Sequence, residues 1–236
     1  MAGIQCKDRR IVLQGKTGAG KSACGNRILG IPDAFKTDAS LNSVTKECKR
    51  SEATVDGLNL SVIDTPGVFD TNMDEDALKK EVGHCIDLSV PGPHAFLLVI
   101  RLGVRFTEEE NGAIQWITDN FGEGALRYTI VLFTHSDHIN GKSVKKYIKG
   151  SRNVVSIVDK CGKRYHAFNN NGGDKAEMSK LLSKIEKMVA DNGGENYTNE
   201  LYKKAQRKLQ REKVGNIVLG SMSGVGAGAA IADRGR

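Results

Sequence analysis

The chain has 236 residues, 39% hydrophobic and 27% charged, with a net charge of +7. This suits one domain of about 200 residues plus an extension, and is enough to bury a core without staples. Five widely spaced cysteines with no C-x-x-C pair argue against a disulfide framework or a zinc site and for a reducing compartment. The opening Met1-Ala2-Gly3-Ile4-Gln5 has no apolar stretch and no glycine in second place, so neither a signal peptide nor myristoylation is expected.

Ile11-Val12-Leu13 forms a short apolar β-type run. It leads into Gly15-Lys16-Thr17-Gly18-Ala19-Gly20-Lys21-Ser22, a match to G-x-x-x-x-G-K-[ST]. Good helix formers follow, through Ile28-Leu29 to Gly30. Glycines let backbone N–H groups converge on a phosphate, and the helix N-terminus adds partial positive charge. Lys21 is placed to reach the β- and γ-phosphates and Ser22 to offer its hydroxyl to Mg²⁺.

Residues 31–43 are polar and read as a long loop ending at Ser43-Val44-Thr45. Thr45 stands between the phosphate loop and a D-x-x-G segment, where GTPases keep a switch threonine that contacts Mg²⁺ and the γ-phosphate. Strands are expected at 47–55 and 58–63, joined by a tight turn at Asp56-Gly57. The second strand delivers Asp64-Thr65-Pro66-Gly67. Asp64 is placed to hold the Mg²⁺ shell, and Gly67 to bring its N–H to the γ-phosphate.

A helix is expected at about 74–88, before Pro91-Gly92-Pro93. The apolar run 94–102 reads as a central parallel strand. Thr107 and Glu110 form a capping box for the next helix, whose Ile114, Trp116, Ile117 and Phe121 read as packing. The strand 128–133 carries Thr134-His135-Ser136-Asp137 at its carboxyl end, the place of a base-reading loop. A carboxylate there accepts guanine N1–H and the exocyclic amine, a donor pair adenine lacks. Asp137 therefore points to guanine. The flat ring of His135 can stack on the base, whereas His138 reads as a surface histidine.

Short helical stretches are expected at about 142–150 and 153–161, and a short strand at 165–168. Asn169-Asn170-Asn171 follows that strand, where an Asn can contact guanine O6. An amphipathic helix at 174–188 presents Met178, Leu181, Leu182, Ile185 and Met188 on one face. A basic helix at 197–213, capped by Asn196 or Thr198, carries Lys203, Lys204, Arg207, Lys208, Arg211 and Lys213 and packs through Tyr202, Ala205 and Leu209. Residues 214–232 are uncharged and rich in Gly, Ala and Ser: long enough to span a bilayer, but poor in strongly apolar side chains.

Alternating strands and helices with four motifs at strand ends predict a three-layer α/β fold. The sheet is mostly parallel with helices on both faces, a C-terminal helical extension follows, and the ligand sits at the carboxyl edge. The divisions are 8–193 for the nucleotide domain, 194–213 for the basic helix and 214–236 for the Gly/Ala-rich tail.

The wording of the motifs is more specific than a generic P-loop domain. Residues 15–23, Asp64-Thr65-Pro66-Gly67-Val68-Phe69-Asp70-Thr71, Pro91-Gly92-Pro93-His94-Ala95 and Arg101-Leu102-Gly103-Val104-Arg105-Phe106-Thr107-Glu108-Glu109-Glu110 resemble the GTPases of immunity-associated proteins, the GIMAP family. The last two stretches are similar to that family's own conserved box. The resemblance covers about residues 8–212. It departs at Val104, which stands as an insertion in the box, and in the short C-terminal region.

The resemblance implies a P-loop GTPase domain related to septin-like and chloroplast-import GTPases. It also implies nucleotide-dependent dimerisation, as a homodimer or with paralogues, and a role in immune-cell regulation. By position, it implies nucleotide contacts from Gly15, Lys16, Thr17, Gly18, Ala19, Gly20, Lys21, Ser22 and Ala23, from Thr37 in the first switch loop, and from His135, Ser136, Asp137 and Asn170 at the base. Mg²⁺ falls to Ser22, Thr45 and, through water, Asp64. Hydrolysis falls to Lys21, Thr45, Gly67 and an arginine finger, Arg105 with Arg101 as fallback. GTP or GDP is the expected ligand. A cytoplasmic setting is expected, at the periphery of an intracellular membrane if the C-terminal region makes contact there; no nucleic-acid partner is expected. Two functions compete: a GTPase completed by dimerisation, and a GTP-loaded assembly scaffold that hardly hydrolyses. Val68 keeps the second open, because valine stands where small signalling GTPases place a water-orienting glutamine.

Overall fold

The computed structural model describes residues 7–37, 45, 47–67, 75–139, 143–168 and 175–223. Six strands form one sheet: β1 (Lys7–Gln14), β2 (Lys49–Val55), β3 (Leu58–Asp64), β4 (Ala95–Arg101), β5 (Thr129–Thr134) and β6 (Tyr165–Ala167). Their order is β2-β3-β1-β4-β5-β6. Among the described residues only the β2–β3 hairpin, turned at Asp56-Gly57, is antiparallel; the other pairings are parallel. The strand β1 has β3 on one side and β4 on the other. The chain leaving it therefore emerges at a topological switch point, where sheets of this kind open a crevice.

The helices are α1 (Lys21–Leu29), α2 (Glu75–Ser89), α3 (Glu108–Phe121), α4 (Val144–Lys149), α5 (Arg152–Lys160), α6 (Lys175–Asp191) and α7 (Glu200–Ser223). Two short 3₁₀ segments, Glu123–Tyr128 and Ser136–Ile139, add turns that periodicity did not reveal. Strand side chains alternate between faces, so each strand feeds two cores. Ile11, Leu13, Leu97, Val99 and Leu132 pack with Ile28 of α1 and Leu181 and Ile185 of α6. Val12, Phe96, Leu98 and Phe133 pack on the other face with Ile117 and Phe121 of α3, Val154 of α5 and Tyr202 of α7. This is the three-layer arrangement expected.

Boundaries moved for identifiable reasons. The strand β1 begins at Lys7, because β3 pairs with it from Leu58 onward, and Arg9 is held by Glu186 of α6. Ser143 and Ser151 cap α4 and α5 by accepting the backbone N–H of Lys146 and Val154. The expected cap of the basic helix is corrected. Asn199, not Asn196 or Thr198, takes the role, its Oδ1 accepting from Tyr202 N at 3.0 Å. Asn196 Nδ2 donates to Tyr197 O at 3.0 Å, and Tyr197 is spent elsewhere, as described next. The helix also runs to Ser223, ten residues beyond the expected end at 213.

The Pro91–Ala95 stretch lies at the amino end of β4. Arg10 Nε donates to Gly92 O at 2.7 Å, Arg10 N to His94 Nδ1 at 3.0 Å, and Tyr197 N to Pro93 O at 2.8 Å. A Cβ on Gly92 would lie 1.7 Å from Tyr197 O, so only glycine permits this approach. Tyr197 OH bonds Phe121 O, and Tyr202 OH meets Ser89 Oγ at 3.0 Å. The stretch therefore fastens the C-terminal extension to the domain at the edge opposite the P-loop.

Candidate functional site

The site stands on the carboxyl ends of β1, β3, β4 and β5. Gly15 leaves β1 at φ 144°, and a Cβ there would lie 2.4 Å from Val99 O. The loop 15–20 thus passes directly over the end of β4 before α1 begins at Lys21. Lys21 is 6% exposed, and its ammonium donates to Gly15 O at 2.9 Å and Lys16 O at 3.1 Å, arching over the loop. Ala19 is buried, while Thr17, Gly18, Gly20, Ser22 and Ala23 complete the expected loop and first turn. The D-x-x-G segment closes on it: a Cβ on Gly67 would meet Thr17 Oγ1 at 1.9 Å and Thr17 N at 2.7 Å. Thr65 OH donates to Leu13 O at 2.6 Å, fixing that segment to β1.

Three oxygens predicted from distant positions converge here. Ser22 OH donates to Asp64 Oδ2 at 2.6 Å, Thr45 OH donates to the same oxygen at 3.3 Å, and the two hydroxyl oxygens lie 3.3 Å apart. Asp64 is 1% exposed and its second oxygen, Oδ1, has no hydrogen-bond partner among the described residues. Burial pushes its carboxyl above the usual range, against the pull of Ser22, Lys21 and Thr45. Hard oxygen donors around an incompletely satisfied carboxylate fit a Mg²⁺ ion. Ser22 and Thr45 would hold it by their hydroxyls, and Asp64 is the carboxylate beside them.

The segment expected to read the base, Thr134 to Asp137, lies at the end of β5, across β4 from β1. Thr134 OH donates to Ala19 O at 2.8 Å, tying β5 to the phosphate loop. The single hydroxyl proton of Thr134 is thereby used, so at 2.9 Å His135 Nδ1 must be the donor to Thr134 Oγ1. Burial, then Arg101 and His138, push the His135 pKa down. The neutral ring keeps Nε2 as an acceptor. His135 takes φ 55°, a left-handed conformation that turns the following Ser136 and exposed Asp137 into a 3₁₀ turn.

His138, read from sequence as a surface histidine, is more than that. Its Nε2 lies 3.5 Å from Asp137 Oδ2, and its ring centroid lies 5.1 Å from that of His135. Its Cβ also blocks any side chain at Gly103, at 2.5 Å. No local signal marks this contact, which joins the 101–110 stretch to the base-reading segment.

The 101–110 stretch completes the edge. Thr107 N donates to Glu110 Oε2 at 2.8 Å, the expected capping box, and Lys16 Nζ reaches Thr107 Oγ1 at 3.5 Å. Arg105, two residues before that threonine, is exposed, as is Val104. Arg101 differs, since its Nε is buried without a partner among the described residues. Thr37 is exposed and shares no hydrogen bond with the cluster among the described residues. Asn170, and Val68 after Gly67, lie outside the described residues.

The sequence model of the AIG1 family matches residues 9–215. Immune-associated nucleotide-binding protein 9 of Arabidopsis thaliana is 36% identical over 217 residues, covering 87% of this chain and 63% of that protein. GTPase IMAP family member 8 of Homo sapiens is 35% identical over 199 residues, covering 83% of this chain and 30% of that protein. The chain thus spans less than two thirds of either relative. Among solved structures, Toc33 from Arabidopsis thaliana in complex with GDP and Mg²⁺ shares the fold. Its TM-score is 0.62 at 19% identity, with 78% of this chain and 85% of that chain covered. With the family match running from the first strand of the sheet into its last helix, the chain belongs to the AIG1 family.

Proposed function

We propose that the chain binds GTP and GDP with Mg²⁺ and acts as a nucleotide-dependent switch that hydrolyses GTP slowly alone and faster in a dimer joined at its nucleotide edge. The observation that carries this reading is the convergence of Ser22, Thr45 and Asp64 oxygens beneath a phosphate loop, with Asp137 presented at the end of β5, across β4 from β1. Relatives support it: the human protein bears the name GTPase, and Toc33 has been solved with GDP and Mg²⁺. Dimerization is described as important for the GTPase activity of the chloroplast translocon components atToc33 and psToc159, whose fold matches at TM-score 0.63 and 18% identity.

In this reading Lys21 leaves its loop carbonyls for the β- and γ-phosphates, and the loop N–H groups hold the remaining oxygens. Bound Mg²⁺ supplies fixed positive charge against the phosphate oxygens. Gly67 presents its N–H to the γ-phosphate, Asp137 reads the guanine edge, and His135 stacks on the base or accepts a proton through Nε2. No glutamine follows Gly67, so water is not oriented in cis by that group. Arg105 is exposed on this edge, stays protonated and grips phosphate bidentately, so it serves as the finger in trans. Arg101, with its Nε buried, stays within its own strand end.

Two measurements test this. Titration calorimetry should show GTP and GDP bound with Mg²⁺ and ATP rejected, with Asp137→Asn relaxing the discrimination; equal ATP affinity in the wild type refutes guanine reading. Specific activity should rise with protein concentration and fall by about 10³-fold in Arg105→Ala at unchanged GTP affinity. Concentration-independent activity, or an unaffected variant, would favour the second reading, a GTP-loaded scaffold with little hydrolysis, which Val68 supports. A part in immune-cell regulation, assembly with paralogues, the 8–193, 194–213 and 214–236 divisions and a cytoplasmic or membrane-peripheral setting belong to the same proposal. Among the described residues no helix is long and apolar enough to cross a membrane. Contact with one would rest on the exposed Lys203, Lys204, Arg207, Lys208 and Arg211 of α7.

A further inference from the structure

Behind the Asp64–Gly67 segment lies a cavity of about 20 Å³, room for one water- or peroxide-sized molecule. Cys48, Thr65, Gly67, Glu81, Cys85 and Trp116 line it. Two thiols therefore share one small space, 4% and 1% exposed. Cys48 stands three residues after Thr45, and Cys85 sits on α2. Cys48 is already held to that helix: its N–H donates to Glu81 Oε2 at 2.8 Å, and its Sγ lies 3.5 Å from Glu81 O. Cys85 is one helical turn beyond Glu81, and helical side chains lean back toward the preceding turn, which is where the Cys48 sulfur lies. The Cys85 thiol, with burial, pushes the Cys48 thiol up, as adjacent sulfurs out of water should.

We propose that Cys48 and Cys85 are an oxidisable dithiol whose disulfide ties the segment leaving Thr45 to helix α2 behind the D-x-x-G loop. Both are reduced thiols here. The oxidant class is a hydroperoxide. One sulfur attacks an oxygen of hydrogen peroxide: an S–O bond forms, the O–O bond breaks, and the departing oxygen leaves as water with the thiol proton. The second thiol attacks the sulfenic sulfur: the S–S bond forms, the S–O bond breaks and a second water leaves. The dithiol loses two electrons and two protons, and one peroxide becomes two waters. Only a thiolate attacks and both sulfurs are buried, so the reaction is slow and proceeds through local opening of α2 from the sheet. Once formed, the bond restrains against α2 the residues that follow Thr45, and it slows nucleotide release. That effect rests on the nucleotide-binding reading above; the disulfide itself does not.

The test uses the full chain, loaded with a fluorescent GDP, reduced, and then exposed to hydrogen peroxide without denaturant. Expected are loss of two hydrogens in the intact mass and a Cys48–Cys85 crosslinked peptide pair, both reversed by dithiothreitol and absent in Cys48→Ser and Cys85→Ser. Cys48→Ala and Cys85→Ala replace these if serine unfolds the core. GDP release should slow about fivefold or more on oxidation, the lower end of ordinary coupling between sites, and recover on reduction. Sulfinic acid without a crosslink, or no Cys48–Cys85 peptide while the chain stays folded, overturns the dithiol. A crosslink that leaves GDP release unchanged overturns the tether. A chain that binds no GDP defeats the nucleotide reading instead, and the peptide map alone then decides the dithiol.

Discussion

The two ends of the same sheet treat their buried polar atoms in opposite ways. At the carboxyl edge Asp64 Oδ1, Gln14 Nε2, Thr17 Oγ1 and Arg101 Nε are buried without partners among the described residues. At the amino edge Arg10, His94, Ser89 and Tyr202 are bonded to one another's elements through side chain and backbone. Native interiors rarely leave buried polar atoms unpaired. Among the described residues the first edge holds unspent hydrogen-bonding groups, and the second spends its own on assembly. Both edges carry stretches that resemble one family's conserved box, yet the 101–110 stretch borders the candidate site, at Lys16 and His138, and the 91–95 stretch fastens the C-terminal extension.

The division predicts that the edges can be damaged separately. The largest effect belongs to Lys21→Ala. Losing a buried cation that would pair with phosphate lowers GTP affinity by about 10³-fold, on the order of 4 kcal/mol. Folding should barely notice, because the hydrogen bonds Lys21 donates at 2.9 and 3.1 Å go to carbonyls of its own loop, Gly15 O and Lys16 O. Urea unfolding of the nucleotide-free variant should stay within about 1 kcal/mol of wild type. A variant that loses stability in proportion to affinity would show that the carboxyl edge holds the fold together as well.

Tyr202→Ala should do the reverse. The ring is fully buried, stacks 6.5 Å from Phe121 and bonds Ser89 through its hydroxyl. Truncating a packed aromatic of this kind costs about 3–5 kcal/mol. The folded fraction should still bind GTP within about threefold of wild type, since the ring touches none of the site residues. A large loss of affinity in folded protein would mean that α7 reports on the site through α2, and the separation of edges would fail.

How much of this the sequence disclosed depends on how local each interaction is. The phosphate loop, the capping box of Thr107 and Glu110 and the Asp56-Gly57 turn are settled within a few residues, and they stand where the motifs put them. Thr45 was legible from its order between two motifs, and its hydroxyl does meet Ser22 and Asp64. His138 was not, because its meaning lies in contacts with Gly103 and Asp137 that only the sheet brings about. The cap of α7 was misplaced for a related reason. Asn196, Thr198 and Asn199 are all good caps locally, and the choice is made by the bonds of Tyr197 to Pro93 O and Phe121 O. Its continuation to Ser223 runs against a Gly- and Ser-rich composition that propensity disfavours.

The amino edge also offers the gentlest way to separate the two ends, by pH. His94 is 7% exposed and accepts the Arg10 N–H at Nδ1. Burial first, then the charges of Arg10 and Arg9, push its pKa down to about 3. The unfolded chain takes up this proton as pH falls through about 6.5, while the folded chain refuses it until about 3. The stabilisation is therefore complete above about 6.5 and drains away as pH drops, by about 2 kcal/mol at pH 5. His166, pushed down to about 4 mainly by burial, adds a loss of the same sign over the same window. In His94→Asn the amide oxygen keeps an acceptor near Nδ1 but cannot be protonated. Between pH 7 and 5 this variant should lose about 2 kcal/mol less stability than wild type, measured by urea unfolding at each pH. The residual slope belongs to His166 and to His135, whose pKa burial also lowers, and His166→Asn should reduce it. Parallel pH profiles for wild type and His94→Asn would mean that His94 titrates in the folded chain as it does in water. The amino edge would then be open to solvent rather than closed by the C-terminal extension.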